Sequence, residues 1–458
     1  MPISNTNIGL VGVTALLRTR RRLHFVGVGG VQMSALATLA LSHGFCVTGS
    51  DASPSTRVDA LRARGARVCV GVDTALVANA DALVYSLAID EDHPEYAAAV
   101  ALGLPVLSRA ELLAFFTSRF ACRVAVAGSH GKSSVTAMLA NALASLDPTV
   151  IAGASIEKED SALREGHGNV SLCEACEYRD SYLALSPTIG TLLSFDLDHV
   201  DYFENETALA HSFETFASRC TCLVVNGEDA TLAKIAENHP RSYTFGVESG
   251  DAHASELSFE QGFAHFTLVL FGTCVGRVAL RVPGLHNVKN ALASALVAAL
   301  CDVPPSEITT SLSAFRGIPR RLCVRGVLRG VPVVDDYAHH PREVAASIAA
   351  LRACMRGGRL VAVFEPHTYS RTLAFEAELA SALASADRVF VANIYPARER
   401  DTKGMSAERL AMRIGERASA SGDLVQTARA LLEELTPTDT LLVMSAGSIE
   451  PLFDTLFA

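Results

Sequence analysis

No stretch of this 458-residue chain approaches the ~20 consecutive apolar residues that a membrane-spanning helix needs. A basic balance is missing too: the net charge is −10, which argues against a nucleic-acid-binding face. Any anionic ligand must then be held locally, by Lys, Arg and backbone N–H groups working against the overall field. The eleven cysteines show no zinc pattern. The single C-x-x-C (Cys173, Cys176) has no second pair at metal-site spacing and lies in an apolar, strand-like run, so it reads as two reduced packing cysteines. A signal peptide is excluded by charge order, because Arg18, Arg20, Arg21 and Arg22 follow the apolar run Ile8 to Leu17 instead of preceding it. These features predict a cytoplasmic protein, with residues 1–22 as a loosely ordered extension. Low-complexity linkers and short-period repeats are also absent.

What is present is a globular composition, 49% hydrophobic and 19% charged, in a chain long enough for about three domains. Strand-like runs alternate with helical patterns in the βαβ manner of a parallel sheet. One block starts at LHFVGVG, a second at CRVAVAGSHGKSS and a third near Arg321. The fold class expected is three α/β domains: 1–120 Rossmann-like, 121–319 P-loop ATPase-like and 320–458 Rossmann-like.

The opening loop, HFVGVGGVQMS, nearly spells the dinucleotide fingerprint G-x-G-x-x-G, but Gln32 stands at the third glycine. Gly29 and Gly30 still allow a backbone to approach a pyrophosphate, and Ser50 and Asp51 end the next strand beside them. The strongest motif is VAVAGSHGKSSVTAML. A strand ends at Gly128, and Ser129, His130, Gly131 and Lys132 lead into a helix opened by Ser133 and Ser134. Strand, glycine turn and helix start make an anion site. The helix dipole and N–H groups face phosphate, Lys132 supplies a point charge, and Ser133 offers a hydroxyl to Mg²⁺. Val126 occupies the first glycine of the standard spacing. Acidic clusters follow at CEACEYRDSYL and FDLDHVDYF; Asp196, Asp198, His199 and Asp201 in the second suit Mg²⁺ or Mn²⁺ better than zinc. Asn287 and Asn290 stand at i, i+3 on a starting helix, where caps and ligands are equally good readings.

GSHGKSS is similar to the G-T-H-G-K-T-T loop of the Mur ligases, and the resemblance extends from HFVGVGGVQMS through almost the whole chain. EACEYR followed by D-x-D-H-x-D-Y-F resembles the alanine-adding branch. The resemblance implies ATP, Mg²⁺ (or Mn²⁺), UDP-N-acetylmuramate and L-alanine as ligands, in a monomer or weak homodimer. It implies metal ligation by Ser133, Glu174 and His199. ATP contacts are implied for the phosphate loop, Asn287, Asn290, Arg321 and Asp336. Substrate contacts are implied for Gly29, Gly30, Ser50, Asp51, Tyr337, His339, His367 and Arg371, with catalysis resting on Lys132, Glu174, His199 and Arg321. Ser194 and Thr368 depart from the residues of many members. Three other readings stay open: a tripeptide-adding relative in the same family, an NAD-dependent dehydrogenase, and a non-catalytic nucleotide-binding regulator.

Overall fold

A computed structural model describes residues 7–156, 161–397, 399–400 and 402–458. The chain builds three sheets in sequence order. The first has five parallel strands in the order Arg67–Val70, Cys46–Asp51, Arg22–Val26, Ala82–Tyr85, Val106–Ser108. Its order reverses beside Arg22–Val26, so the crevice of the switch point opens at the end of that strand, where Gly27, Gly29 and Gly30 lie.

In the central sheet, Cys122–Ala127 lies between Val170–Glu174 and Ile189–Leu192, all parallel. Val124, Val126 and Leu172 are buried on one face and Ala125, Ala127 and Cys173 on the other. Burial on both faces is what continuous apolar strands without alternation require. This sheet continues through Cys222–Asn226 and Ser242–Phe245 into a meander of long strands, Ala252–Glu260, Phe263–Leu270 and Thr273–Pro283. The third sheet orders Cys323–Leu328, Val331–Asp336, Thr440–Ser445, Leu360–Glu365, Arg388–Val391 and Ala418–Ala420, with only the first strand antiparallel.

The expectation of a loose N-terminal extension is wrong for residues 7–22; residues 1–6 lie outside the described residues. Gly9–Thr19 is a helix, and Arg22 already belongs to the first strand. Leu10, Val13 and Leu17 share one face, and Val13 and Leu17 are completely buried against the Arg109–Thr117 helix and its surroundings. Buried Glu111 fixes the helix start: its Oε1 accepts the N–H groups of Asn7, Ile8 and Gly9 at 2.8–2.9 Å. Its Oε2 accepts from Ser108 N–H in a capping box. One carboxylate thus satisfies orphan donors of two helices. The arginines read as the end of an extension instead grip the sheet, with Asp81 accepting from Arg21 N–H, Arg22 N–H and the Arg22 guanidinium.

Cys173 ends up buried inside its strand, whereas Cys176 lies two residues past the strand end, not within it as the apolar run suggested. No helix among the described residues is long and apolar enough to cross a membrane.

Candidate active site

The phosphate-type loop sits where Cys122–Ala127 ends and the helix Lys132–Ala142 begins. Its two glycines are sterically required. Gly128 and Gly131 have φ of 129° and 86°, and an added Cβ would lie 2.7 Å from Leu193 N and from Asn290 Oδ1 respectively. Ser194, the departure from the family pattern, completes the loop: its Oγ accepts from His130 N–H at 2.9 Å, and its carbonyl accepts from Ser129 N–H.

Lys132 folds over this loop, donating to the carbonyls of Gly128 (2.6 Å) and Ser129 (3.0 Å) and to Glu177 Oε1 (3.0 Å). Burial opposes its charge, yet Glu177 and the neighbouring Glu174 hold its ammonium pKa above the usual value. Glu177 was not read from the sequence. It is fully buried and also lies 3.5 Å from His199 Nε2, so it joins the loop lysine to the second acidic cluster.

Ser133 Oγ donates to Glu174 Oε2 at 2.9 Å, and Gly153 N–H donates to the same oxygen. A hydroxyl and a carboxylate at that distance form a hard oxygen pair, the kind of partial shell Mg²⁺ takes when water and phosphate complete it. His199, held at φ 53°, is on the Glu177 side. No group of three or more His, Cys, Asp or Glu among the described residues is arranged to hold a metal by itself. Ser133 and Glu174 offer oxygen donors and His199 an imidazole, donor types that fit Mg²⁺ or Mn²⁺.

Asn287 and Asn290 are both buried at the start of the helix Leu285–Leu300. Asn287 Nδ2 donates to Pro283 O, Asn290 Nδ2 donates to Asn287 Oδ1, and the Asn290 oxygen faces Gly131. The pair therefore connects the meander to the phosphate loop.

The C-terminal sheet brings Arg321, Asp336, Tyr337, His339, His367 and Arg371 to the same cleft. Arg320 and Arg321 both stack their guanidinium groups on the Tyr337 ring. Asp336 is buried and accepts from Ser347. His339 and His340, adjacent in sequence, diverge as side chains of neighbouring residues should. His339 hydrogen-bonds Tyr337 O and faces Asp198, whereas His340 packs on His130 and Phe375. Thr368 caps the short helix Tyr369–Ala374. Arg371, 8% exposed, donates from Nε and Nη2 to Asp198 Oδ1 of the central domain at 3.0 and 2.7 Å, and His367 stacks on Tyr395 beside it.

Glu343 is the residue that sequence reading overlooked most. It is the third residue of the helix Pro341–Cys354 and closes a capping box with His340, a signal present in HHPRE. Its carboxylate lies 3.2 Å from His130 Nδ1, 3.4 Å from His339 Nδ1 and 3.8 Å from Arg321. Burial opposes its charge, but His339, His130 and Arg321 outweigh this and hold it well below the usual carboxylate range. His130 also lies 3.3 Å from Asp196. Burial lowers the His130 pKa, and Glu343 and Asp196 more than reverse this, raising it to about 9.

A pH prediction follows from that sign. His130 is raised above its unfolded value of ~6.5, so its contribution is full below pH ~6.5 and disappears as pH rises through about 9. The loss should amount to up to about 3 kcal/mol. Chemical unfolding of wild type and His130→Gln between pH 6 and 10 tests it: the gap between them should close by pH 10. A constant gap would contradict the assignment.

In the N-terminal loop, the N–H groups of Gly29 and Gly30 are already used, by Asp51 Oδ2 at 2.7 Å and by Gly27 O at 3.2 Å. The open donors belong instead to Val31, Gln32 and Met33, the first turn of the helix Val31–Ser42. Gly29 is needed for closeness, since a Cβ there would meet Asp51 Oδ2 at 2.8 Å. Ser50 Oγ donates to buried Glu95, which leaves its oxygen available as an acceptor. Gln32 has a structural explanation that the glycine fingerprint could not supply. Its side chain leaves the loop, accepting from Arg109 and reaching the Glu174 carbonyl at 3.5 Å, so it links the first domain to the centre of the second.

Residues 22–121, 126–298 and 320–447 match, in order, the family models described as Mur ligase family, catalytic domain; Mur ligase middle domain; and Mur ligase, glutamate ligase domain. The chain is 37% identical over 440 residues to a UDP-N-acetylmuramate–L-alanine ligase of Caldanaerobacter subterraneus subsp. tengcongensis, a match covering 94% of this chain and 95% of that protein. Its fold is similar to that of UDP-N-acetylmuramate-alanine ligase MurC from Thermotoga maritima, with a TM-score of 0.81, 25% identity, and coverage of 95% of this chain and 98% of that one. A murein peptide ligase from Psychrobacter arcticus shares the fold at a TM-score of 0.73 and 22% identity, again covering 95% and 98%. With three family models matched in order along one three-sheet chain, and a relative of this identity matched nearly end to end, the chain belongs to the Mur ligase family.

Proposed function

We propose that this enzyme joins L-alanine to UDP-N-acetylmuramate, converting ATP to ADP and phosphate, in cytoplasmic synthesis of peptidoglycan precursor. The observation that carries the reading is the phosphate-type loop at the end of the Cys122–Ala127 strand, where Lys132 pairs with Glu177, Ser133 donates to Glu174, and His130 meets Glu343 of the C-terminal domain beside Arg321. The alanine ligases matched over almost the whole chain supply the substrate assignment. The working domains are 1–120 for the uridine nucleotide, 121–319 for ATP and 320–458 for closure, in a monomer or weak homodimer.

A carboxylate is a poor acyl donor because oxide would have to leave. Transfer of the γ-phosphoryl group to the muramate carboxylate makes an acyl phosphate. Attack by the alanine amine then expels phosphate and forms the amide. Lys132 and Arg321 stabilise charge on the phosphoryl oxygens as it moves. Ser133, Glu174 and His199 would hold Mg²⁺ (or Mn²⁺), which neutralises charge shared between the phosphates. The Val31–Met33 helix start holds the substrate pyrophosphate. Asn287 and Asn290, in a stretch resembling the family's H-N-x-x-N-A pattern, are assigned to the adenine side. Closure of the C-terminal domain keeps water from the acyl phosphate.

ADP release with UDP-N-acetylmuramate and either L-alanine, glycine, L-serine or the tripeptide tests the proposal. L-Alanine should give the highest kcat/KM. Turnover with the tripeptide and none with alanine would assign the chain to the tripeptide-adding branch instead. Tight NAD binding without uridine-nucleotide binding would overturn the ligase reading altogether.

A further inference from the structure

All eleven cysteines are free thiols, and two of them, far apart in sequence, touch: Cys122 Sγ and Cys301 Sγ are 3.8 Å apart. Cys122 is the first residue of the strand that runs into the phosphate loop. Cys301 follows the last residue of the helix whose first two turns carry Asn287 and Asn290. Both are partly exposed, so a small oxidant can reach them. Both stand at the ends of their elements, where side-chain rotation and a small shift can bring the sulfurs to the ~2.05 Å of a disulfide.

The pair is chemically asymmetric. The hydrogen bond between the two sulfurs, opposed by burial and helped by Thr188 and Arg123, lowers the Cys122 thiol pKa. Cys301 is raised, chiefly by the same contact and then by burial. A thiol with a lowered pKa in contact with one whose pKa is raised is the arrangement of an attacking and a resolving thiol. Other thiols lack this arrangement; burial pushes Cys173 up to about 12 and Cys176 to about 11.

We propose that Cys122 and Cys301 are a thiol-oxidation site that hydrogen peroxide converts to a reversible disulfide. The Cys122 thiolate attacks one peroxide oxygen and the O–O bond breaks, giving a sulfenic acid and hydroxide. Cys301 then loses its proton and attacks the Cys122 sulfur, expelling the second hydroxide. Overall two thiols give up two electrons and two protons, and one peroxide becomes two waters. The bond would tie the entry of the phosphate-loop strand to the exit of the Asn287/Asn290 helix. It lies at the opposite ends of both elements from the nucleotide site, and nearly all of the central domain lies between its cysteines. The oxidised protein therefore keeps its ADP-forming turnover and gains resistance to unfolding.

The test treats the full-length native protein with hydrogen peroxide, blocks remaining thiols with iodoacetamide, and maps the peptides by mass. A Cys122–Cys301 cross-linked peptide lighter by two hydrogens is expected, with the other nine thiols alkylated. The unfolding midpoint should rise, and dithiothreitol should reverse both changes. In Cys301→Ser the cross-link is lost, and dimedone should trap a sulfenic acid at Cys122. Full alkylation of Cys122 and Cys301 after peroxide treatment would overturn the proposal. So would pairing of Cys301 with Cys222.

Discussion

Replacing Lys132 by alanine lowers kcat for ADP release by about 10³-fold or more, equivalent to roughly 4 kcal/mol of transition-state stabilisation. The KM for L-alanine should change little, because the lysine faces phosphate and not the amine donor. In this structure its ammonium satisfies two loop carbonyls and Glu177. Binding a triphosphate exchanges some of these contacts for phosphate oxygens, with little further ordering because the side chain is already buried in place. The same environment creates a competing explanation for lost activity. Removing Lys132 leaves Glu177 buried without its ammonium partner, a change of the kind that costs about 3 kcal/mol of stability. A second variant separates the two effects. Lys132→Met combined with Glu177→Gln removes the unpaired charge and should recover much of the unfolding midpoint, while activity stays low. If the double variant regains turnover along with stability, Lys132 acts only as a structural counter-ion. Full turnover by Lys132→Ala alone would remove the phosphate loop from the mechanism.

The parts of this site that were legible in the sequence share one property: they are local. The Gly128–Ser134 loop, the Asn287/Asn290 pair and the divergence of His339 from His340 follow from spacing within a few residues. Glu177, Glu343 and Glu95 were overlooked because their importance comes from partners that are distant in sequence. Glu343 meets His130 from another domain, and a glutamate three residues after a histidine-proline start reads as a cap before it reads as a hub. Gln32 was opaque for the same reason, since the position is judged against a glycine fingerprint while its partners, Arg109 and Glu174, lie in other segments. The N-terminal helix failed differently. Eleven residues are marginal as an isolated helix, and what stabilises them is docking on Arg109–Thr117 and three N–H bonds to Glu111. The meander after Phe245 carries period-two burial at Ala264, Phe266 and Leu268 and at Val278, Leu280 and Val282, while register shifts interrupt its pairing.

Arg371→Met shifts the protein toward an open arrangement and lowers turnover by about 30- to 150-fold, roughly 2–3 kcal/mol. In this structure the guanidinium is committed to Asp198 across the boundary between the C-terminal and central domains. Burial penalises the Asp198 charge, but His199, Arg371, His339 and His130 together hold its carboxyl well below the usual range. Losing Arg371 therefore leaves a buried carboxylate without its guanidinium partner. Opening lets it rehydrate, so the measured cost falls below the full penalty of an orphaned buried ion. Arg342 with Asp196 and His130 with Glu343 bridge the same boundary, and they limit the effect of any single change. A double-mutant cycle with Asp198→Asn isolates the pair. Scattering or a donor–acceptor dye pair across the two domains should report opening in each single variant, while the double variant opens by less than the sum. ADP release at saturating substrates should follow the same order. Additive effects in both measurements would mean that Arg371 and Asp198 act separately, and that closure is held by the His130–Glu343 contact, whose loss above pH 9 would then open the enzyme without any mutation.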